Sequence, residues 1–390
     1  MKIVQICPFF YPVKGGLEEH VYRISRELVK KGHIVYVFTS NSMRKGKIKK
    51  RYEVIDGINV IRFNVFLRLG DFGMFWPGFI NYLLKEKPDI VHVHNYRHFH
   101  TIFSAILCKI IKKPCIITTH SPFHPKELRR LHSRILVLFY DKILSKVIDK
   151  LFDKIIIINN NEKKYFLHLR KDKISLLPNG IDKSFFKKIS KKLKLKLVRK
   201  LRIRKKDFIV LFIGRIHPTK GLHFLVNTFL KYFCKNNVKL FIAGPIEDTN
   251  YYNKKIFSNI GEIKNIFYIG EIFGEEKRAL YEISDIVVVP SIYESFGIVI
   301  LEAFARGKPV IAVDSDGPRY LIENGKNGFL IKFGDEKSLK NYINILRTDK
   351  KLYKKIAENN FKKAKKFTWD KIVKKIIKIY EEVYSNYNSL

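Results

Sequence analysis

Continuous apolar runs alternate with helical repeats along most of the chain. KIVQIC (2–7), IVYVFTS (34–40), DIVHVH (89–94), CIITTH (115–120), KIIIIN (154–159) and KISLLP (173–178) are continuous rather than alternating. Such runs fit strands covered on both faces, hence a parallel sheet with helices on both sides. Between the first two, LEEHVYRISRELVKKG puts Val21, Ile24 and Leu28 on one helical face. The alternation stops near residue 183. It restarts with FIVLFIGRI (208–216), VKLFIAG (238–244), IFYIGE (266–271), IVVVPS (286–291), PVIAV (309–313) and GFLI (328–331). The pattern predicts an α/β chain of two Rossmann-like, doubly wound domains. The first covers 1–185 and is completed by a helix over 368–390, whose apolar side carries Trp369, Ile372, Val373, Ile376 and Tyr380. The second covers 207–367. No repeat shorter than a whole domain is visible.

Between the two lies KKISKKLKLKLVRKLRIRKK (187–206), with twelve basic residues and no acid. Ile189, Leu193, Leu197 and Leu201 recur every four positions, so 186–206 is expected to be a basic linker helix with one thin apolar stripe. Open α/β sheets bind ligands at the carboxyl ends of their strands. The site is therefore expected in a central cleft that the two domains face.

Charge narrows the partners. The 390 residues carry a net charge of +40, and 46% are hydrophobic, enough for two cores. An excess that large implies an acidic partner, a phosphorylated substrate, an anionic membrane surface or nucleic acid, while part of it fits a lysine-rich background of plain solvated surface. No aromatic-interleaved basic motif supports nucleic acid, so none is expected. Cys7, Cys108, Cys115 and Cys234 form no close pair and read as reduced thiols. MKIVQICPFFYP is interrupted by Gln5 and Pro8, which suits a strand and not a signal peptide. No run reaches the ~20 apolar residues of a membrane span. The expectation is a cytoplasmic protein, free or peripheral on the inner face of the cell membrane. The stretch 125–152, with Arg129, Arg130 and Arg134 beside a strongly apolar segment, reads either as solvated basic faces over packed apolar residues or as the contact with an anionic membrane. No pattern sets an oligomeric state.

The chemistry concentrates in loops. PVKGGLEEH opens the first helix, and Gly15 and Gly16 let backbone approach a ligand next to a helix N-terminus, a place suited to phosphate; an unliganded tight turn fits as well. GRIHPTKG (214–221) is the matching loop of the second domain. It sets Arg215 at a strand end and Lys220 at a helix start, where a cation opposes the dipole unless an anion is present. It is not a Walker loop. In PSIYESFGIVILEAFARGKPVIA (290–312), Glu302 sits in an apolar run that reads as a buried helix, and Glu294 lies eight residues upstream. A buried carboxylate needs a partner, either an ion pair in the core or a ligand. Ser295 is a candidate cap, which would aim the N–H groups of Phe296, Gly297 and Ile298 into the cleft. The two acids are expected ~10–12 Å apart, beyond the ~5–9.5 Å of a glycosidase pair. That span suits the two ends of a nucleotide sugar.

ESFGIVILE is similar to the E-x7-E motif of retaining glycosyltransferases of the GT-B fold, the large family 4-like, group 1 class. GGLEEH, NGID (179–182), GRIHPTKG and the stretch from DGP to NGFL resemble that class in its usual order, over nearly the whole chain. The resemblance implies a hexosyltransferase using a nucleotide-diphospho-sugar, UDP- or GDP-linked, with a glycan or lipid-linked acceptor and no further cofactor. It implies that the Gly16 backbone meets the donor phosphate region and that Arg215 and Lys220 neutralise the diphosphate. Glu294 would bind the transferred sugar, Glu302 the ribose, and the N–H groups near Phe296 to Ile298 the phosphate or sugar. His120, in TTHSPFH, would lie near the reacting face. No metal is expected. His92, His94, His98 and His100 make a zinc site conceivable, but the family's strand often carries such histidines without one. DSD (314–316) matches the DxD metal motif only weakly. Here Asp316 replaces a usual glycine and Tyr320 stands where an acid is common. Two other readings remain: a nucleotide-sugar epimerase of the same fold, and a basic membrane- or nucleic-acid-binding protein with a degenerate sugar site.

Overall fold

The first strand, β1 (Lys2–Cys7), is apolar on both faces and lies inside its sheet, paired in parallel with β2 (Ile34–Ser40) and β7 (Ile90–His94). This computed structural model describes residues 1–13, 15–43, 46–69, 73–120, 131–234, 236–258 and 265–389. The chain forms two units, Met1–Gly180 with Trp369–Leu390, and Ile181–Thr368.

In the first unit the sheet order is β10-β9-β8-β7-β1-β2-β4-β3. The remaining strands are β3 (Tyr52–Ile55), β4 (Ile58–Phe63), β8 (Cys115–Thr118), β9 (Lys154–Ile157) and β10 (Ile174–Leu176). All pairings are parallel except β3 with β4, a hairpin that the apolar runs alone do not announce. Its signal is Asp56-Gly57, where both residues have positive φ, 48° and 80°, as a two-residue hairpin turn demands. A small ribbon of β5 (Leu67–Leu69) and β6 (Gly73–Phe75) stands apart. The final helix, Trp369–Asn388, buries the five predicted side chains Trp369, Ile372, Val373, Ile376 and Tyr380 in the core around β1 and β2.

The second unit has the order β13-β12-β11-β14-β15-β16, all parallel. These are β11 (Phe208–Ile213), β12 (Val238–Ala243), β13 (Ile266–Gly270), β14 (Ile286–Val289), β15 (Val310–Val313) and β16 (Phe329–Ile331). β11 and β14 are neighbours at the point where the order reverses, so their following loops meet at one place. The basic segment lies in this unit. It folds as a helix over Lys191–Lys200 capped by Ser190, and Leu193 and Leu197 pack with Ala279 and Ile283.

Candidate active site

In the second unit, GRIHPTKG leaves β11, makes a tight turn at Pro218–Lys220 and enters the helix Leu222–Tyr232. The loop after β14 passes through Glu294 to the helix Ile298–Ala305. The two loops are tied together. Ile292 N–H donates to Thr219 O at 3.0 Å, and Lys220 Nζ lies 2.6 Å from Glu294 Oε2. Both side chains are about four-fifths covered, at 21% and 18% exposed. The cation misplaced at a helix start thus finds its anion inside the protein.

Ser295 is not the cap of the next helix. That position is Gly297, with φ +87° and no side-chain hydrogen bond. A Cβ there would sit 2.8 Å from Ile300 Cδ1 and leave the residue strained. A second close approach holds the loop from behind. A Cβ on Gly317 would meet the Phe296 backbone at 2.5–2.6 Å, and Gly317 N–H donates to Glu294 O at 2.9 Å. Phe296 and Gly297 therefore enter the helix through a left-handed turn, and Ile298 is its first residue.

Glu302 is buried and already partnered. Lys277 Nζ lies 2.6 Å from Oε1, and Tyr281 O–H donates to Oε2 at 2.6 Å. Lys277 and Tyr281 are four apart on the helix Gly274–Ile283 and share a face. Burial and the Glu302 carboxylate push the Tyr281 phenol well above its usual range, so it stays a donor. Of the two partners expected for Glu302, an ion pair in the core or a ligand, the structure shows the ion pair, with Lys277. Sequence reasoning missed both partners, although EEKRALYEIS spaces them at i and i+4. Arg215 is likewise not a lone charge; it forms an ion pair with Glu247. Asp314 of DSD is engaged with Arg319, which donates to it twice at 2.9 Å.

In the first unit, Gly15 precedes the helix Gly16–Lys30 in extended backbone, which any residue adopts. Glu18 and Glu19 occupy the first turn, and Glu18 is buried, so an acid already meets the positive end of this helix. His120 follows β8 with φ +55° and is half-buried. Its Nε2 lies 3.0 Å from His94 Nδ1, and His94 Nε2 lies 2.6 Å from Gln5 Oε1. His20 joins them from the helix Gly16–Lys30, bonded through Nδ1 to Asn179 of NGID at 2.6 Å. Burial holds His94 and His120 well below the usual histidine range and His20 at about 4. The expected histidine cluster is regrouped. His92 turns to Tyr380 and Thr118, His98 takes a hydrogen bond from Asn95, and His100 bonds His94 O. Among the described residues the three that could hold a metal ion together are His20, His94 and His120.

Residues 14–185 match glycosyltransferase family 4, and residues 194–363 match the glycosyl transferases group 1. An uncharacterised glycosyltransferase of Methanocaldococcus jannaschii is 27% identical, over 98% of this chain and 98% of that protein. The Escherichia coli UDP-Gal:alpha-D-GlcNAc-diphosphoundecaprenol alpha-1,3-galactosyltransferase is 27% identical, over 71% of this chain and 70% of that protein. Among solved structures, Anabaena HepE in complex with UDP superposes with a TM-score of 0.78 at 22% identity, covering 98% of this chain and 100% of that one, which shows the fold. Two family matches that between them span most of the chain, on two Rossmann-like units, identify it as a group 1 glycosyltransferase of the GT-B fold, an enzyme that transfers sugar.

Proposed function

We propose that the chain moves a hexose from a nucleotide-diphospho-sugar, UDP-linked ahead of GDP-linked, to a lipid-linked or glycan acceptor, with retention and without a catalytic metal. The observation that carries this reading is the Lys220–Glu294 ion pair at the tied loops. A diphosphate reaching the turn competes with Glu294 for the ammonium, since phosphate takes charge-assisted hydrogen bonds strongly. The carboxylate so released accepts from sugar hydroxyls. Glu302 keeps Lys277 and still has lone pairs for ribose hydroxyls. In transfer, the bond from the sugar to the phosphate oxygen breaks and the acceptor oxygen bonds the same carbon. The acceptor's proton goes to the departing phosphate. Lys220, Arg215 and backbone N–H groups stabilise the charge that develops there. The names of the Escherichia coli and Anabaena proteins support UDP, and the former supports a lipid-diphosphate acceptor.

A membrane surface for that acceptor is supported by the helical segment from Leu131 to Leu151, which contains a wider turn at Tyr140–Leu144. Val137, Tyr140 and Ile148 face the core. Ile135, Leu136, Phe139, Ile143 and Val147 are between 48% and 62% exposed, beside exposed Lys142, Lys146 and Lys150. Exposed apolar residues flanked by lysines suit an anionic interface. Arg129 and Arg130 lie outside the described residues, and Arg134 is half-buried. No helix among the described residues is long and apolar enough to cross a membrane.

The test is a thermal-shift screen of UDP, GDP and ADP and their sugars. A ligand that binds the folded state raises the melting temperature by mass action. UDP compounds are expected to give the largest rise. No rise with any diphosphonucleoside overturns the reading.

A further inference from the structure

The three histidines of the first unit converge from separate elements: His94 ends β7, His120 follows β8, and His20 comes from the helix Gly16–Lys30. One ring nitrogen of each lies within 4.8 Å of those of the other two. The ring centroids are 4.7 Å (His20–His120), 5.3 Å (His94–His120) and 5.7 Å (His20–His94) apart.

The hydrogen bonds fix where the lone pairs lie. An amide oxygen only accepts, so His20 Nδ1 carries a hydrogen toward Asn179 Oδ1 and Nε2 is the basic nitrogen. That Nε2 is buried with no hydrogen-bond partner, on a residue with 0% exposure. A buried polar atom left unpartnered is costly and calls for an explanation. By the same logic His94 Nε2 donates to Gln5 Oε1, so its Nδ1 holds a lone pair. Gln5 is oriented in turn, its Nε2 donating to Tyr380 O–H at 3.0 Å. Two carboxamides thus lock two imidazoles with their basic nitrogens left over, the outer-shell arrangement that metal-bound histidines use.

We propose that His20, His94 and His120 form a site for a divalent transition-metal ion of the zinc class, with a fourth position open. Tetrahedral ligation at about 2.0–2.1 Å separates nitrogens by roughly 3.4 Å. The observed 3.0 Å between His94 Nδ1 and His120 Nε2 needs only a small opening. His120 moves its hydrogen from Nε2 to Nδ1 on binding, a change of tautomer without loss of a proton. Three imidazoles with no carboxylate select zinc, copper or nickel over magnesium and calcium. His120 is half-buried and is the most exposed of the three. The consequence for transfer rests on the proposed function: an ion held here engages His120 and so inhibits transfer, while nucleoside diphosphate binding through Lys220 in the second unit is unaffected.

The test is titration of the chelator-treated full chain with Co2+, read by the intense visible bands of four-coordinate cobalt. A saturable signal is expected, displaced by Zn2+ and not by Mg2+. His20→Gln and His120→Gln should each weaken it by about tenfold or more, with folding checked by circular dichroism. His168→Gln and His223→Gln, elsewhere in the chain, should leave it unchanged. If His20→Gln fails to fold, the half-buried His120→Gln carries the comparison. Folded wild-type chain that shows no saturable band, or a band that survives His120→Gln, overturns the site. A chain that fails to bind any nucleotide yet shows the band overturns the transferase reading alone.

Discussion

Lys220 and Glu294, from two different strand-to-helix loops of one sheet, neutralise each other across 2.6 Å. Under the proposed function this pair would make binding a diphosphate at Lys220 and freeing the carboxylate of Glu294 one event, because the ammonium cannot serve both anions equally.

The Glu302 cluster predicts a stability cost. Lys277→Ala leaves a buried carboxylate without its cation, and we expect a loss of about 3 kcal/mol, the low end for a broken buried pair because Lys277 is itself partly exposed. Tyr281→Phe removes one hydrogen bond to a charged group and should cost about 1.5–3 kcal/mol. Chemical denaturation measures both; wild-type midpoints in the two variants contradict the pairing.

Stability should fall on acidification. Burial holds His98 at about 3, with the neighbouring His100 adding to the depression, against ~6.5 for an unfolded histidine. Below pH ~6.5 the unfolded chain binds the proton first, so stability is full above that value and is lost as pH falls toward 3. The slope from this one group is about 1.4 kcal/mol per pH unit inside that window. His98→Gln should flatten the melting-temperature profile between pH 6.5 and 5; an unchanged slope contradicts the assignment.

Transfer should survive EDTA. Arg215, Lys220 and backbone N–H groups are assigned the leaving diphosphate, so removing divalent ions removes nothing from that site and clears the histidine trio of any inhibitor. A turnover assay with and without chelator reads this. Loss in EDTA that Mn2+ or Mg2+ restores contradicts it and turns attention to Asp314 and Asp316.

Vesicle binding should follow the exposed apolar side of the 131–151 segment. Ile135→Glu with Phe139→Glu and Val147→Glu should abolish co-sedimentation with anionic vesicles, while UDP binding stays at the wild-type level. Wild-type protein that remains in the supernatant at low salt contradicts the surface, since electrostatic attraction is strongest there.

The parallel sheets were legible because their strands are buried on both faces and read as continuous apolar runs, and the closing helix because its apolar side repeats at helical spacing. The β3–β4 hairpin was not, since Tyr52–Ile55 is half exposed and only Asp56-Gly57 marks its turn. The site's candidate residues stand at strand ends in the sequence, but their partners are set by packing. Nothing local ties Lys220 to Glu294, Glu302 to Lys277 or Arg215 to Glu247, because each pair joins different elements. Ser295 looked like a cap by residue type. The left-handed Gly297 took that place because the close approach of Gly317 to Phe296 fixes how the loop enters the helix.

Calorimetric titration of UDP into wild-type, Lys220→Ala and Glu294→Gln chains tests the central claim most directly. Wild type should bind UDP. Lys220→Ala should bind it more weakly by about 1.5–3 kcal/mol, the value of a charge-assisted phosphate contact. Glu294→Gln removes the competing anion and should bind UDP as tightly as wild type or more so, while its kcat for transfer falls. UDP and GDP affinities that are unchanged in Lys220→Ala, or weakened alike in Lys220→Ala and Glu294→Gln, would contradict it.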